Sequence, residues 1–176
     1  HKGDRVIIYT NTIDRVEKLH RYLCKQGFKA EFYHGKCEDK SARLDRFASG
    51  KIKVMVATNA FGLGVNIPDI RLVIHHAPLI GLDDYTQEAG RAGRDGKKST
   101  ALLLWHEYDF TINRRLIKEN QLELKGAELK ERLSALEALH DYACENHKCR
   151  WGMIREFFGE KSGKRCKKRC DNCKNR

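Results

Sequence analysis

The sequence has no apolar run approaching the length of a membrane span, no secretory leader, no internal repeat and no low-complexity tract. Those absences speak against an integral helical membrane protein and against a secreted or repeat-built one. A complete phosphate-binding loop is also missing. Five residues separate Gly90 from Gly96, and Lys97 is followed by Lys98 rather than Ser or Thr. No Asp-Glu dipeptide occurs, so the acidic motif that holds Mg2+ beside such a loop is absent too. Alone, the chain is not expected to hydrolyse a nucleoside triphosphate at a useful rate. It opens His1-Lys-Gly-Asp, without an initiator methionine and straight into a strand, which reads as a piece of a longer protein.

Positive charge is what the sequence has in excess, at a formal +11. From Cys144 to Arg176 eleven Lys or Arg face four Asp or Glu, so +7 falls in the last 33 residues. That asymmetry fits a polyanionic partner, nucleic acid before membrane, because no amphipathic aromatic face accompanies it. The plain alternative is a solvated basic tail.

The seven cysteines are just as uneven, with Cys24 and Cys37 scattered and five after residue 143. An odd count, no leader and an ordinary α/β pattern upstream disfavour a disulfide framework and favour an intracellular, reducing compartment. Cys149, Cys166, Cys170 and Cys173 are separated by 16, 3 and 2 residues, close to the spacing of structural zinc sites. Four thiolates close a tetrahedral cage with no open position, so the expected role is structural. Cations from Arg165 to Arg169 favour the thiolate form and offset the cage's charge. A segment this short and polar takes much of its folding energy from the metal. Cys144 and His147 are the rival ligands. Tyr142, Trp151, Phe157 and Phe158, interleaved with the cations, read as a small core rather than as a base-stacking platform.

Upstream, strands are expected at Arg5–Tyr9, Lys29–Tyr33, Lys53–Ala57, Leu72–His75 and Thr100–Trp105, from their β-branched and aromatic runs. Helices alternate with them. One is capped by Thr12 or Asn11, carries Val16, Leu19 and Leu23 on one face and stops at Gly27; another covers Ser41–Ala48; a third, Leu82–Ala92, carries a glycine–arginine string. The alternation with short connections implies a parallel, three-layer α/β sheet whose ligands gather at the strands' carboxyl ends. After Trp105 the pattern is helical, over Tyr108–Asn120 and Leu124–Cys144, the latter with Leu129, Leu133, Leu136 and His140 as packing positions. Two domains are expected, 1–121 and 122–176.

The string at 87–96, Gln-Glu-Ala-Gly-Arg-Ala-Gly-Arg-Asp-Gly, carries the most functional information. On a helix Arg91 and Arg94 share a face. Gly90 and Gly93 admit a close backbone or a phosphate chain, and a guanidinium can neutralise charge growing on a γ-phosphate. The string resembles motif VI of superfamily 2 helicases, in the form used by the RecQ family. Val54-Met-Val-Ala-Thr-Asn-Ala-Phe-Gly-Leu-Gly-Val-Asn66 resembles motif V, and Ile7-Ile-Tyr-Thr-Asn11 resembles motif IV. Tyr33-His34-Gly35 with Arg43 and Phe47 fits the segment between. Tyr142, Cys144-Glu-Asn146, Cys149-Arg150, Phe157-Phe-Gly-Glu160 and Cys170-Asp-Asn-Cys173 are similar to the RecQ zinc-binding region. The pair Gly35-Lys36 and the spelling His75-His76-Ala77-Pro78 depart from the usual forms and bear on the subfamily.

The resemblance implies the second RecA-like lobe of an ATP-dependent 3′-to-5′ DNA helicase, followed by a small helical zinc-binding subdomain. Such an enzyme clamps ATP and Mg2+ between two lobes, the first in cis, and acts on single-stranded and duplex DNA in repair and recombination; a eukaryotic member would be nuclear. By the same resemblance Arg94 is the arginine finger, Arg91 a γ-phosphate or interlobe contact, and Gln87 a coupler of nucleotide state to lobe closure. Gly62 and Gly64 belong to the ATP side, Asn11, His34, Thr58 and Asn59 to the single-strand backbone, and Cys149, Cys166, Cys170 and Cys173 to zinc. Two other readings stand beside it: a non-catalytic nucleic-acid-binding module built on the zinc tail, and an RNA helicase of the same superfamily.

Overall fold

The computed structural model describes residues 3–62, 66–119, 124–161 and 165–174. They form two compact units: residues 3–78 with Gln87–His106, and Leu79–Thr86 with Glu107 onward. The sequence reading divides the chain at 121/122, whereas the helix that begins at Glu107 packs with the one that follows it.

The first unit is built on five parallel strands, β1 (Arg5–Tyr9), β2 (Ala30–Tyr33), β3 (Val54–Ala57), β4 (Ile70–His75) and β5 (Thr100–Leu103), in the order β2-β3-β1-β4-β5. This is the parallel sheet expected from the strand–helix alternation. Helices α1 (Ile13–Lys25) and α2 (Lys40–Ala48) lie against the sheet. Thr12 caps α1, its hydroxyl accepting from Arg15 N at 3.2 Å. Asp14 in the first turn and Lys25 in the last complement the helix dipole. Gly27, at φ +83°, ends the helix in a conformation that a side chain would resist.

Alternation along the strands divides the core between the two faces of the sheet. Ile7 and Tyr9 of β1, Met55 and Ala57 of β3, and Val73 of β4 join Phe47 of α2, Phe61, Ile67 and Ile70 in one buried cluster. Val6, Ile8, Val56 and Val16 are buried as well. The β5 edge is exposed, with Leu102 and Leu104 both more than 40% accessible.

Helix α3 (Leu82–Ala89) is shorter than the sequence predicts. A helix reaching Ala92 would carry Arg91 and Arg94 on one face; the chain instead turns at Gly90, and both arginines lie beyond the helix. The cause is local. Gly93 takes φ +67° and Gly96 φ +77°, and the Gly93 amide donates to Ile70 O at 2.9 Å instead of continuing the helix. A β-carbon at Gly93 would come within 2.7 Å of Lys97 O, so the turn requires glycine there.

The second unit contains α4 (Glu107–Lys118), α5 (Gly126–Cys144), α6 (Arg150–Phe157) and α7 (Asp171–Lys174). Phe110 and Ile117 of α4 and Leu136 and Leu139 of α5 are fully buried. Of the four positions expected to pack along α5, Leu136 is buried, while Leu129, Leu133 and His140 are half-buried. The buried stripe runs through Ala135, Leu136, Leu139 and Tyr142 instead. Arg114 spans to Glu137 through Nε and Nη2 at 2.7 and 2.8 Å, and Arg132 reaches Asp83 and Asp84. Among the described residues, no helix is long and apolar enough to cross a membrane.

Phe47→Ala would empty the centre of the first unit's core. Its expected cost is about 3–5 kcal/mol of unfolding free energy, read from the shift of the urea midpoint at unchanged slope.

Candidate nucleotide, nucleic-acid and metal sites

Parallel strands bring their carboxyl ends to one edge of the sheet, and the backbone ladder continues one residue past them. Thr10 N donates to Ala57 O at 2.9 Å, Thr58 N to Tyr33 O at 3.2 Å, and His76 N to Tyr9 O at 2.9 Å. Asn11, His34, Thr58 and Asn59 therefore follow three neighbouring strands at the same edge. Their presentation differs. Asn11 and Asn59 are exposed, with Asn11 Nδ2 donating to Pro78 O at 3.3 Å. Thr58 is nearly buried, and its hydroxyl accepts from Ala60 N at 3.4 Å. His34 is buried, stacked on Phe32 with Glu17 Oε1 3.5 Å from its Nε2, so the ring does not face solvent.

In the glycine–arginine string, burial separates the two arginines. Arg91 is only 9% exposed; its Nη1 donates to Gly62 O at 3.0 Å, and its guanidinium covers the Gly62 backbone. A β-carbon at Gly62 would stand 2.6 Å from Arg91 Cζ. Arg94 is exposed and only loosely held, by Gly90 O and Asn66 Oδ1, each at 3.5 Å. Gln87 is exposed. Gly64, placed with Gly62 by sequence, lies outside the described residues. Arg71 fixes the far end of the string by pairing with Asp95, and that pairing holds the Asp95 carboxyl below its usual range.

Beneath the string is a buried polar network that sequence reasoning missed. His75 Nε2 and Glu88 Oε2 are 2.9 Å apart, and the imidazole stacks on Tyr9 at 5.4 Å between ring centroids. Tyr9 donates to Phe61 O at 3.0 Å. Burial first, then the Glu88 carboxylate, pushes the Tyr9 hydroxyl far above its ordinary range, while Arg91 opposes the shift. The phenol therefore stays a donor. The available signal was a histidine ending a strand and a glutamate inside the string; only their pairing needed the fold.

In the second unit Cys149, Cys166, Cys170 and Cys173 converge, with their sulfurs all within 4.8 Å of one another and Cys166 Sγ 3.4 Å from Cys170 Sγ. A tetrahedral zinc with bonds of roughly 2.3 Å sets sulfurs about 3.8 Å apart, so the set fits that metal. Backbone N–H groups already face the sulfurs, as Cys170 N does toward Cys166 Sγ at 3.2 Å. Cys149 opens α6. Burial alone would raise its thiol, but donors from Gly152 and Cys166 prevail and bring it to about 6. Burial and the neighbouring thiols push Cys173 up to about 12 and raise Cys166. Four thiols held this close ionise together only around a cation, which the soft donor set selects from the zinc class. Cys144 and His147 are not in this group.

Asn172 and Arg150 assemble the cluster, a role the sequence did not disclose. The buried Asn172 amide donates to Glu145 O and Lys148 O, both at 2.9 Å. Arg150 pairs with Asp171 at 3.1 and 3.0 Å and donates to Tyr142 O, so α7 is drawn to the loop before Cys149.

Comparison with known proteins agrees with both halves. Residues 1–96 match the family described as helicase conserved C-terminal domain, and residues 107–174 match RecQ zinc-binding. The ATP-dependent DNA helicase RecQ of Bacillus subtilis is 36% identical over 95% of this chain and 28% of its own length. A putative ATP-dependent RNA helicase of Acanthamoeba polyphaga mimivirus is 37% identical over 98% of this chain and 31% of its own. The chain thus spans under a third of these relatives. Among solved structures, the Escherichia coli DEAD-box protein SrmB, bound to a regulator of ribonuclease activity, superposes with a TM-score of 0.56 at 28% identity, over 60% of this chain and 64% of that one.

Gly62→Ala is expected to expel the Arg91 guanidinium and cost about 1–3 kcal/mol. In a double-mutant cycle read by thermal unfolding, adding it to Arg91→Ala should cost little more than Arg91→Ala alone. Additive losses would show that the two positions do not touch.

Proposed function

Because the chain belongs to the helicase C-terminal domain family, in its RecQ branch, we propose that it is the second motor lobe and zinc subdomain of an ATP-dependent 3′-to-5′ DNA helicase that serves repair and recombination. The observation that carries this reading is the contrast between the two arginines of the string. Arg94, exposed and bound only at 3.5 Å, is free to reach a γ-phosphate presented by a partner lobe, as an arginine finger does. Arg91, buried on Gly62, ties the string to the loop after β3, so nucleotide contact at one is felt at the other. Gln87 stands exposed at the start of the string, where it can report nucleotide state to the closing lobe. ATP and Mg2+ would be held mainly by that other lobe.

Nucleic acid would run along the carboxyl edge of the sheet. Asn11 and Asn59 offer exposed amides, Thr58 a hydroxyl and backbone, and His34 shapes the turn from beneath. Such groups meet phosphate and sugar without reading bases, as a translocating motor requires. Zinc would be held by Cys149, Cys166, Cys170 and Cys173 and would supply folding energy rather than chemistry. The family match at 107–174 and the convergence of the four sulfurs support it.

A second reading, RNA as the track, draws on the mimivirus relative, which matches 98% of this chain, cysteine region included, and is named an RNA helicase. The contacts named above do not separate the two, so the track is decided by assay. The non-catalytic module has less support, since binding alone gives an exposed, loosely held Arg94 no task.

In the intact protein, ATP hydrolysis should rise with single-stranded DNA more than with RNA. Arg94→Ala should lower turnover by roughly three to five orders of magnitude while ATP binding persists. Wild-type turnover in that variant would dismiss the finger, and RNA-selective stimulation would install the second reading. Chelation of the metal should release one zinc per four-thiol cluster. It should also expose 145–174 to trypsin at its Lys and Arg residues, and Cys170→Ser should reproduce both effects without chelator.

A further inference from the structure

Glu107 is the first residue of α4, and His140 and Cys144 lie one turn apart at the end of α5, on one face of that helix. His140 Nε2 is 2.9 Å from Glu107 Oε2 and 3.5 Å from Cys144 Sγ. The three donor atoms all lie within 4.8 Å of one another. Phe110, fully buried, meets the imidazole edge-on at 4.7 Å and fixes its plane.

A carboxylate, an imidazole and a thiol can also make a proton relay. That geometry needs the carboxylate on one ring nitrogen and the thiol on the other. Here both approach the same nitrogen, which is the arrangement of donors around a common centre. A tetrahedral ion with bonds of roughly 2.0–2.3 Å sets unlike donors about 3.4–3.6 Å apart. The sulfur–nitrogen separation already meets that condition, and the carboxylate has only to withdraw by about half an ångström.

Burial first, then the Glu107 and Asp141 carboxylates, push the Cys144 thiol up, while Arg114 and Arg150 oppose the shift. Arg114, the guanidinium nearest Glu107, is engaged by Glu137 on two nitrogens and approaches Glu107 only at Oε1, 3.6 Å away. The oxygen that faces His140 is the other one.

We propose that Glu107, His140 and Cys144 form a second metal site, distinct from the four-thiol cluster. It takes a borderline divalent cation of the zinc class on one oxygen, one nitrogen and one sulfur, with the fourth position left to water or an outside ligand. Binding releases the thiol proton and replaces the imidazole–carboxylate hydrogen bond with two bonds to the ion. The ion joins the start of α4 to the end of α5. With three protein ligands, two of them exposed, it exchanges faster than the ion of a closed four-sulfur cage. The site is independent of the helicase reading.

The test is a Co2+ titration of the intact protein, stripped of metal beforehand and followed by visible absorption and metal analysis. Two equivalents should bind. The second should add about a quarter of the thiolate-to-cobalt intensity of the first, one sulfur against four. Cys144→Ser should abolish that increment and reduce the count to one. Glu107→Gln, at an exposed position, should weaken the second equivalent at least about tenfold and leave the first unchanged. Retention of the first equivalent in each variant reports an intact fold. Saturation of the wild type at one equivalent would overturn the proposal, as would a second equivalent that survives both Cys144→Ser and His140→Gln.

Discussion

The parallel pairing of β1 with β3 on one side and β4 on the other is the constraint on which the first unit depends. It places Ile7 beside Met55 and Val73, and Tyr9 beside Ala57 and His75, so one register sets both the apolar core and the polar network. A slip of one residue would turn Ile7 and Tyr9 to the opposite face. It would forfeit the cluster around Phe47 and, with it, the Tyr9 bond to Phe61 and the stacking on His75. Because all five strands run the same way, that register also fixes which loops share an edge. Asn11, His34 and Thr58 are neighbours because β1, β2 and β3 are.

The motifs and the strand pattern were legible from local signals. Runs such as Val-Ile-Ile-Tyr at 6–9 and Val-Met-Val-Ala at 54–57 are short, apolar and rich in β-branched residues, the pattern of a buried strand, and Thr12 and Gly27 mark helix ends by chemistry that acts within a turn. The four-cysteine grouping was legible for the same reason, since ligand spacing is local at three of its four members. Misreadings came where a distant partner decides. A helix reaching Ala92 is not formed because the Gly93 amide bonds to Ile70, twenty-three positions earlier. The stripe on α5 was read from leucines, although small Ala135 and polar-tipped Tyr142 are the residues its neighbours bury. Asn172, His75 and Glu88 stand inside motifs that the sequence displays, but their hydrogen-bond partners are set only by the fold.

The two units solve the problem of buried polarity differently. In the sheet, an ion-pairable His75–Glu88 couple is sealed beneath the string, with His75 fully buried and Glu88 at 6% exposure. Removing either member deprives a buried polar group of this hydrogen bond, at about 1–3 kcal/mol. In the cysteine region the polar groups are thiols, whose charge is adjustable. Cys149 is depressed by backbone donors while Cys166 and Cys173 are raised by burial and one another. Backbone donors and burial thus act on these sulfurs in opposite directions, and a cation bound among them would hold them all as thiolates.

Rigidity below and freedom above explain why one short string can hold two unlike arginines. Arg91 is fixed by three causes acting together: Glu88 anchors the end of α3 through His75, Gly62 has no side chain to keep the guanidinium away, and Gly62 O accepts from it. Arg94, one turn further on, escapes because Gly93 takes a left-handed conformation and directs the chain outward before Arg71 recaptures it at Asp95. The string is thus tethered on both sides of one exposed cation. The same three-residue spacing on a continuous helix would have set both arginines on one face, so the break at Gly90 is what lets one be buried and the other exposed.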